Sequence, residues 1–248
     1  MDTKQWQSGR YDPQSAAALA KCAAWAYTPV EWAYARYAEH DFDLVRYTSH
    51  NLSVDVAHKE GTTIVAFAGT DDLADWRVNF SVHKTDWNGY QVHAGFQHGE
   101  QNLFRQMAGD FTADVTRVWI TGHSLGGAMA TMHALRWVDG PQPEVLQGLY
   151  TYGAPRCMDR RSASMMDAMS YGRHFRHVNG NDIVPRVPSC FRFRHCGQHV
   201  RINRFGEVIH SPSPFYTLYD RVLGYRADLI RNHFVEKYVE PLKKQAAK

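Results

Sequence analysis

The chain has 248 residues, 44% of them hydrophobic, and a formal net charge of +3. That length and apolar content suit one α/β domain with a sizeable core, and the charge is too small to argue for a nucleic-acid partner. No stretch approaches the roughly 18 apolar residues needed to span a bilayer.

The opening MDTKQWQSGRYDPQ lacks a basic start followed by an apolar core. No signal peptide is therefore expected, and the chain as given reads as cytoplasmic; the alternative is a secreted protein whose leader has been removed. Asp12-Pro13 is a cap and first-turn pair that predicts a helix through Ala26. Leu52 to Ala57 alternates, Lys59-Glu60-Gly61-Thr62 turns the chain, and Thr63 to Ala68 reads as a buried strand, which together predict a β-hairpin. Phe96 to Met107 reads as a helix. Val115 to Thr121 (VTRVWIT) is rich in β-branched and aromatic residues, as a buried strand is. Gly127 to Val138 (GAMATMHALRWV) is Ala-, Met- and Leu-rich, as a buried helix is. Leu149 to Tyr152 and His174 to Val178 read as further strands. Val200 to Asn203 and Glu207 to His210 flank Arg204-Phe205-Gly206 as a second hairpin. Ala227 to Leu242 is helix-compatible. Strands alternating with helices imply a mostly parallel sheet covered on both faces, in a single domain over residues 1–248.

Between the strand at 115–121 and the helix from 127 lies Gly122-His123-Ser124-Leu125-Gly126. A serine hydroxyl is a poor nucleophile unless the backbone presents it to a base and to an oxyanion site. In the G-x-S-x-G elbow the serine sits on a strained strand-to-helix turn, and the glycines leave room where a Cβ would clash. The pentapeptide alone is a weak signal; its flanks supply the context that makes Ser124 a candidate nucleophile. In hydrolases of this architecture the acid and then the histidine follow the serine along the chain. Asp182, in RHVNGNDIVP, stands just past a strand's carboxyl end, where ligand groups gather in parallel sheets. Asp159 and Asp167 compete with it, and read locally Asp182 is also a turn-capping aspartate. Downstream histidines are His195, His199, His210 and His233. Of these His233 comes after all the strands, where a terminal loop can carry an imidazole over the elbow. The oxyanion donors expected are the amide of Leu125 and one from the loop after the earlier strand, at Gly69-Thr70.

Two features stand outside that constellation. Cysteines at 22, 157, 190 and 196 are too few for a disulfide framework. Free thiols are the favoured reading, a Cys190–Cys196 bridge the alternative. A zinc site with His195 and His199 fits no common ligand spacing, so no metal is expected. Residues 173–204 carry seven arginines (173, 176, 186, 192, 194, 201, 204) against one acid, Asp182. Scattered solvated arginines are the simpler reading; a basic face toward anionic lipid or acidic ligands is the other.

The set FAGTDDLADWRVN (67–79), VHAGF (92–96), ITGHSLGGAMA (120–130), YTYGAPR (150–156) and RHVNGNDIVPRVP (176–188) resembles the fungal-type class 3 lipase family of α/β-hydrolases. The likeness is collinear over about residues 60–240. It implies Ser124 as nucleophile, Asp182 as triad acid, His233 as base with Tyr238 following it, and Thr70 and Leu125 as oxyanion residues, without cofactor or metal. It implies a triacylglycerol lipase working at a lipid–water interface. Alternatives are an esterase on short-chain, phospholipid or feruloyl esters, or a non-catalytic lipid-binding relative. Ala68 stands where the family often has Arg. Asp75 to Tyr90 takes the place of the family's lid, either as a cover that opens on lipid or as fixed pocket wall. With few cysteines and no leader, the chain looks more like a bacterial member. Its oligomeric state is not legible.

Overall fold

The computed structural model describes residues 1–70, 83–224 and 229–248. Its strands are β1 (Asp43–Ser49), β2 (Leu52–Lys59), β3 (Thr62–Phe67), β4 (Lys84–Trp87), β5 (Tyr90–His93), β6 (Arg117–His123), β7 (Leu146–Tyr152), β8 (His174–Asn179), β9 (Gln198–Ile202) and β10 (Val208–His210). The helices are α1 (Pro13–Trp25), α2 (Val30–Ala38), α3 (Ala94–Met107), α4 (Leu125–Val138), α5 (Arg160–Met169), α6 (Pro214–Leu223) and α7 (Glu236–Ala246). An eight-stranded sheet runs in the order β1-β2-β3-β6-β7-β8-β9-β10. From β3 to β9 neighbouring strands are parallel; antiparallel β1, β2 and β10 close the two edges.

The parallel strands are buried on both faces, which is why they read as near-continuous apolar runs. One face packs Val65, Ile120 and Leu149 against Leu103 of α3 and Met129 and Met132 of α4. The other packs Ile64, Trp119, Tyr150 and Val200 against Leu19 of α1 and Tyr238 and Leu242 of α7. The second core is partly polar, and several of its polar atoms are bonded across it. Thr121 Oγ1 reaches Leu19 O at 3.1 Å and Tyr150 O at 2.9 Å, and Tyr152 Oη donates to Ala16 O at 2.6 Å.

The expected helices at 13–26, 96–107 and 127–138 and the parallel core strands are present within a few residues of their predicted bounds. The helix read over 227–242 begins instead at Glu236, after a 3₁₀ turn at Arg231–His233. Helices α2, α5 and α6 and strand β1 had no sequence reading. Of the lid-like segment, 75–82 lies outside the described residues. Its remainder forms the β4–β5 hairpin. That hairpin is pinned by Tyr90 Oη donating to Asp139 at 2.8 Å and by His93 N donating to Cys157 O at 2.8 Å.

Candidate active site

The parallel register sets the site. Phe67 pairs with Gly122, His123 with Tyr152 and Tyr152 with His177, so the carboxyl ends of β3, β6, β7 and β8 lie side by side. Loop 68–70, the elbow, Gly153 and the turn bearing Asp182 all issue from this one edge, the usual place for ligands in such sheets.

Ser124 holds φ 58° and ψ −130°, an uncommon backbone for a residue with a side chain. Strain of this kind costs on the order of 1–3 kcal/mol and persists only when the surroundings impose it. Here Ser124 N donates to Tyr152 O and Gly127 N to Ser124 O, both at 2.9 Å. A Cβ on Gly126 would strike the Phe67 carbonyl, so the first turn of α4 sits against the end of β3. Leu125 opens α4, and a helix's first N–H groups have no intrahelical acceptor. A Cβ on Gly69 would stand 3.1 Å from Ser124 Cβ and 2.9 Å from His123 O, which puts the Gly69-Thr70 loop beside the elbow.

Asp182 is buried and its carboxylate is met from three directions. His233 Nδ1 lies 2.8 Å from Oδ2, Tyr238 Oη donates to Oδ2 at 2.5 Å, and Val184 N donates to Oδ1 at 2.9 Å. A carboxylate only accepts, so Nδ1 of His233 carries the proton and Nε2 is left as an acceptor. Tyr238 Oη also accepts from Asn179 N at 3.1 Å. Burial, and then the Asp182 charge, push the Tyr238 hydroxyl well above its ordinary range, so it stays a donor. Gly153, at φ 60°, faces this pair: a Cβ there would stand 2.8 Å from Asp182 Oδ2 and 3.0 Å from His233 Nδ1.

His123 ties the nucleophile to the base. Its Nε2 lies 2.6 Å from the carbonyl oxygen of His233, and the two rings are 4.6 Å apart. A carbonyl only accepts, so Nε2 carries the proton and Nδ1 accepts from Tyr27 Oη at 2.8 Å. Burial, then the nearby His233 ring, hold His123 well below its ordinary value, so this imidazole is neutral. Asn179 Nδ2 donates to the Asn232 carbonyl at 3.0 Å and fixes the same loop from the other side. Ser124 Oγ and His233 Nε2 are buried and have no hydrogen-bond partner among the described residues. A cavity of about 240 Å³ opens at His233, lined also by Tyr27, Thr70, His123 and Phe234.

The rival residues have other places. Asp159 caps α5 through Ser162 N at 2.8 Å, and Asp167 accepts from Gly197 N at 2.6 Å. His195 Nε2 faces the Pro185 carbonyl at 2.7 Å, and His210 packs on Tyr11 with ring centroids 4.0 Å apart. All four cysteines are free thiols. Sequence reasoning missed the parts played by Tyr27, the His123 ring, Gly153 and Asn179. The contacts that tie them to the site join residues at least 29 positions apart, so no local pattern marks them.

Residues 64–192 match the sequence profile of the family described as lipase (class 3). The chain belongs to the class 3 lipase family. It is 32% identical over 153 residues to a secreted mono- and diacylglycerol lipase of Fusarium solani, covering 58% of this chain and 44% of the relative. It is 34% identical over 123 residues to the triacylglycerol lipase OBL1 of Arabidopsis thaliana, covering 44% of this chain and 24% of that one. The chain spans less than half the length of these curated relatives. The native lipase–propeptide complex of Rhizomucor miehei superposes with a TM-score of 0.72 at 22% identity, over 89% of this chain and 78% of that one. That likeness shows the α/β-hydrolase fold.

Proposed function

We propose that this member of the family is a serine carboxylic-ester hydrolase acting on acylglycerols. The observation that carries the reading is the directed chain Tyr238–Asp182–His233, which ends in an Nε2 acceptor that, like the hydroxyl of the strained and buried Ser124, has no hydrogen-bond partner among the described residues. In this reading His233 Nε2 takes the Ser124 proton as Oγ attacks the ester carbonyl. Asp182 orients the imidazole and stabilises it while it is cationic. The amides of Thr70 and Leu125 hold the tetrahedral oxyanion. The C–O bond to the alcohol breaks, the departing oxygen takes the proton from His233, and an acyl-enzyme remains. Water then attacks that ester, gives a proton to His233 and releases the acid, and the serine regains its proton.

The substrate class draws on a second observation. Helix α6 turns Phe215, Leu218, Tyr219 and Val222 to solvent, with Phe215 85% exposed, and Ile230 and Phe234 on either side of His233 are half exposed. Both segments rest on the turn that carries Asp182: Asn181 Nδ2 donates to Arg221 O at 3.0 Å, and a Cβ on Gly180 would lie 3.0 Å from Asn232 Nδ2. An apolar rim beside the site suits a lipid–water interface. The deciding experiment is a series of p-nitrophenyl esters from acetate to palmitate, with and without emulsified triacylglycerol, on the native chain and Ser124→Ala. The reading expects activity that rises with chain length and with the emulsion and is lost in Ser124→Ala. Turnover confined to soluble short esters would leave an esterase and remove the lipase.

A further inference from the structure

Of the seven arginines in residues 173–204, Arg192, Arg194 and Arg204 are exposed, whereas Arg176, Arg186 and Arg201 are withdrawn from solvent. Arg176 on β8 pairs with His199 on β9, and Val178 with Arg201. Side chains alternate along a strand, so Arg176, His199 and Arg201 share the face opposite Phe175, Val200 and Ile202. Helix α6 brings Arg221 to this face, with Asp220 of the same helix bonded to Arg201 Nε at 2.7 Å. The segment after Asp182 adds Arg186, whose Nη2 donates to Asn181 Oδ1 at 3.2 Å. Arg156 donates through Nη1 to the carbonyls of Arg186 and Pro188.

The charges do not balance. Among the described residues, two carboxylates stand against the guanidinium groups of Arg156, Arg176, Arg186, Arg201 and Arg221. Asp220 is shared between Arg201 and the neighbouring Arg204. Asp167 accepts from the Gly197 backbone. The carbonyls that meet Arg156 supply hydrogen bonds but no charge. Five buried nitrogens, Nε of Arg176, Arg186 and Arg221, Nη1 of Arg201 and Nε2 of His199, have no hydrogen-bond partner among the described residues. Arg201 itself is fully buried. The groups are close enough to act on one another. Burial, then repulsion from Arg186, Arg201 and Arg156, draws Arg221 down to about 10. Burial, then Arg176, Arg201 and Arg221, draws His199 down to about 3. Buried like charges without counter-charge are costly, and the cost is relieved by an anion that accepts from several of them.

We propose that Arg156, Arg176, Arg186, Arg201, Arg221 and His199 form a binding site for a phosphate group. The planar guanidinium fork matches tetrahedral phosphate oxygens two at a time, and such charge-assisted bonds are about twice as strong as neutral ones. One carboxylate offers too few acceptors for open nitrogens on β8, β9, α6 and the 184–186 turn, and too little charge for the excess. The site sits behind the turn that carries Asp182, on residues separate from the elbow and its cavity, so the phosphate is not the ester substrate. Its source is free phosphate or the headgroup of an anionic phospholipid.

The test is thermal unfolding of the full chain in inorganic phosphate against sodium chloride of equal ionic strength. A hundredfold excess of phosphate over its Kd is expected to raise Tm by roughly 5–10 °C more than chloride does. Arg176→Gln and, on the half-exposed helix, Arg221→Gln are expected to be at least as stable as the native chain without phosphate, because each removes one repelling charge. Both should lose most of the phosphate-dependent rise, with Kd weakened about tenfold or more. A rise matched by chloride, or one that persists unchanged in both variants, would overturn the site. Co-sedimentation of Ser124→Ala with phosphatidic acid vesicles but not phosphatidylcholine vesicles, lost in Arg221→Gln, assigns the lipid headgroup. Phosphate-dependent stabilisation without vesicle binding assigns the free ion.

Discussion

Two clusters of buried charge lie along β8, and they are balanced in opposite ways. At its carboxyl end the Asp182 carboxylate is met by His233, Tyr238 and Val184, and the positions of His123, Asn179 and Gly153 hold those partners in place. Further back along the strand and across to β9, Arg176, Arg201 and His199 present nitrogens that no described residue answers. Burial penalises an unmet polar group by on the order of 1–3 kcal/mol, and more for a charge. An open atom inside an otherwise well-bonded network therefore marks chemistry that arrives from outside. In the first cluster the open atoms are one hydroxyl and one ring acceptor, the pair needed to move a proton. In the second they are nitrogens on cations and a neighbouring imidazole, the set needed to hold an anion. The buried Glu100, by contrast, is answered by His133 at 3.1 Å and by both arms of Arg136 at 2.7 and 2.8 Å, and it reads as structural.

The sharpest way to break the first half of this contrast is Ser124→Ala, which should lower kcat on a soluble p-nitrophenyl ester by about 10⁴-fold or more while leaving Tm within a few degrees. Asp182→Asn keeps the shape but removes the charge that fixes the His233 tautomer, and a loss of about 10³–10⁴-fold is expected. Gly153→Ala places a methyl 2.8 Å from Asp182 Oδ2 and 3.0 Å from His233 Nδ1. Pushing the pair apart should cost roughly 10–100-fold in kcat, and the φ of 60° should lower Tm as well. Tyr238→Phe removes one of three donors to the carboxylate, and a fall of about 3–10-fold in kcat with unchanged KM is expected, in line with the loss of about 1 kcal/mol.

The gentlest perturbation is pH. His177, fully buried, and His199 both have values drawn down to about 3, chiefly by burial. Between about pH 6.5 and 3 the unfolded chain binds protons that the folded chain refuses, so stability falls as pH falls through that window and is flat above it. Urea midpoints from pH 7 to pH 4 should show this slope. His177→Asn should remove about one proton of it, ~1.4 kcal/mol per pH unit at most. An unchanged slope would mean that His177 is not a neutral group held in the fold.

The contrast also explains what the sequence revealed and what it hid. Strands β3, β6 and β7 were legible because burial on both faces demands β-branched and aromatic runs. Helix α4 was legible because its Ala and Met residues pack from Gly127 onward. Strand β1 was not, since residues 43–49 lie at an edge with a mixed burial pattern. Helix α6 was hidden because its apolar side faces solvent, which inverts the usual pattern. Ser124, Asp182 and His233 became candidates from an elbow motif, chain order and family likeness. Tyr27, Gly153 and the bonds of the His123 ring did not, because those contacts are set by three-dimensional register alone. The arginine excess was visible, but only the pairing of Arg176 with His199 turns a composition into a cluster.

The central claim is that Ser124 is the activated nucleophile of the class 3 lipase site. Its most direct measurement is labelling with a fluorophosphonate probe, followed by intact mass and peptide mapping. The account predicts one adduct per chain, on Ser124, absent from Ser124→Ala and strongly slowed in Asp182→Asn. No adduct on the folded protein, or an adduct on another residue with Ser124 free, would contradict it.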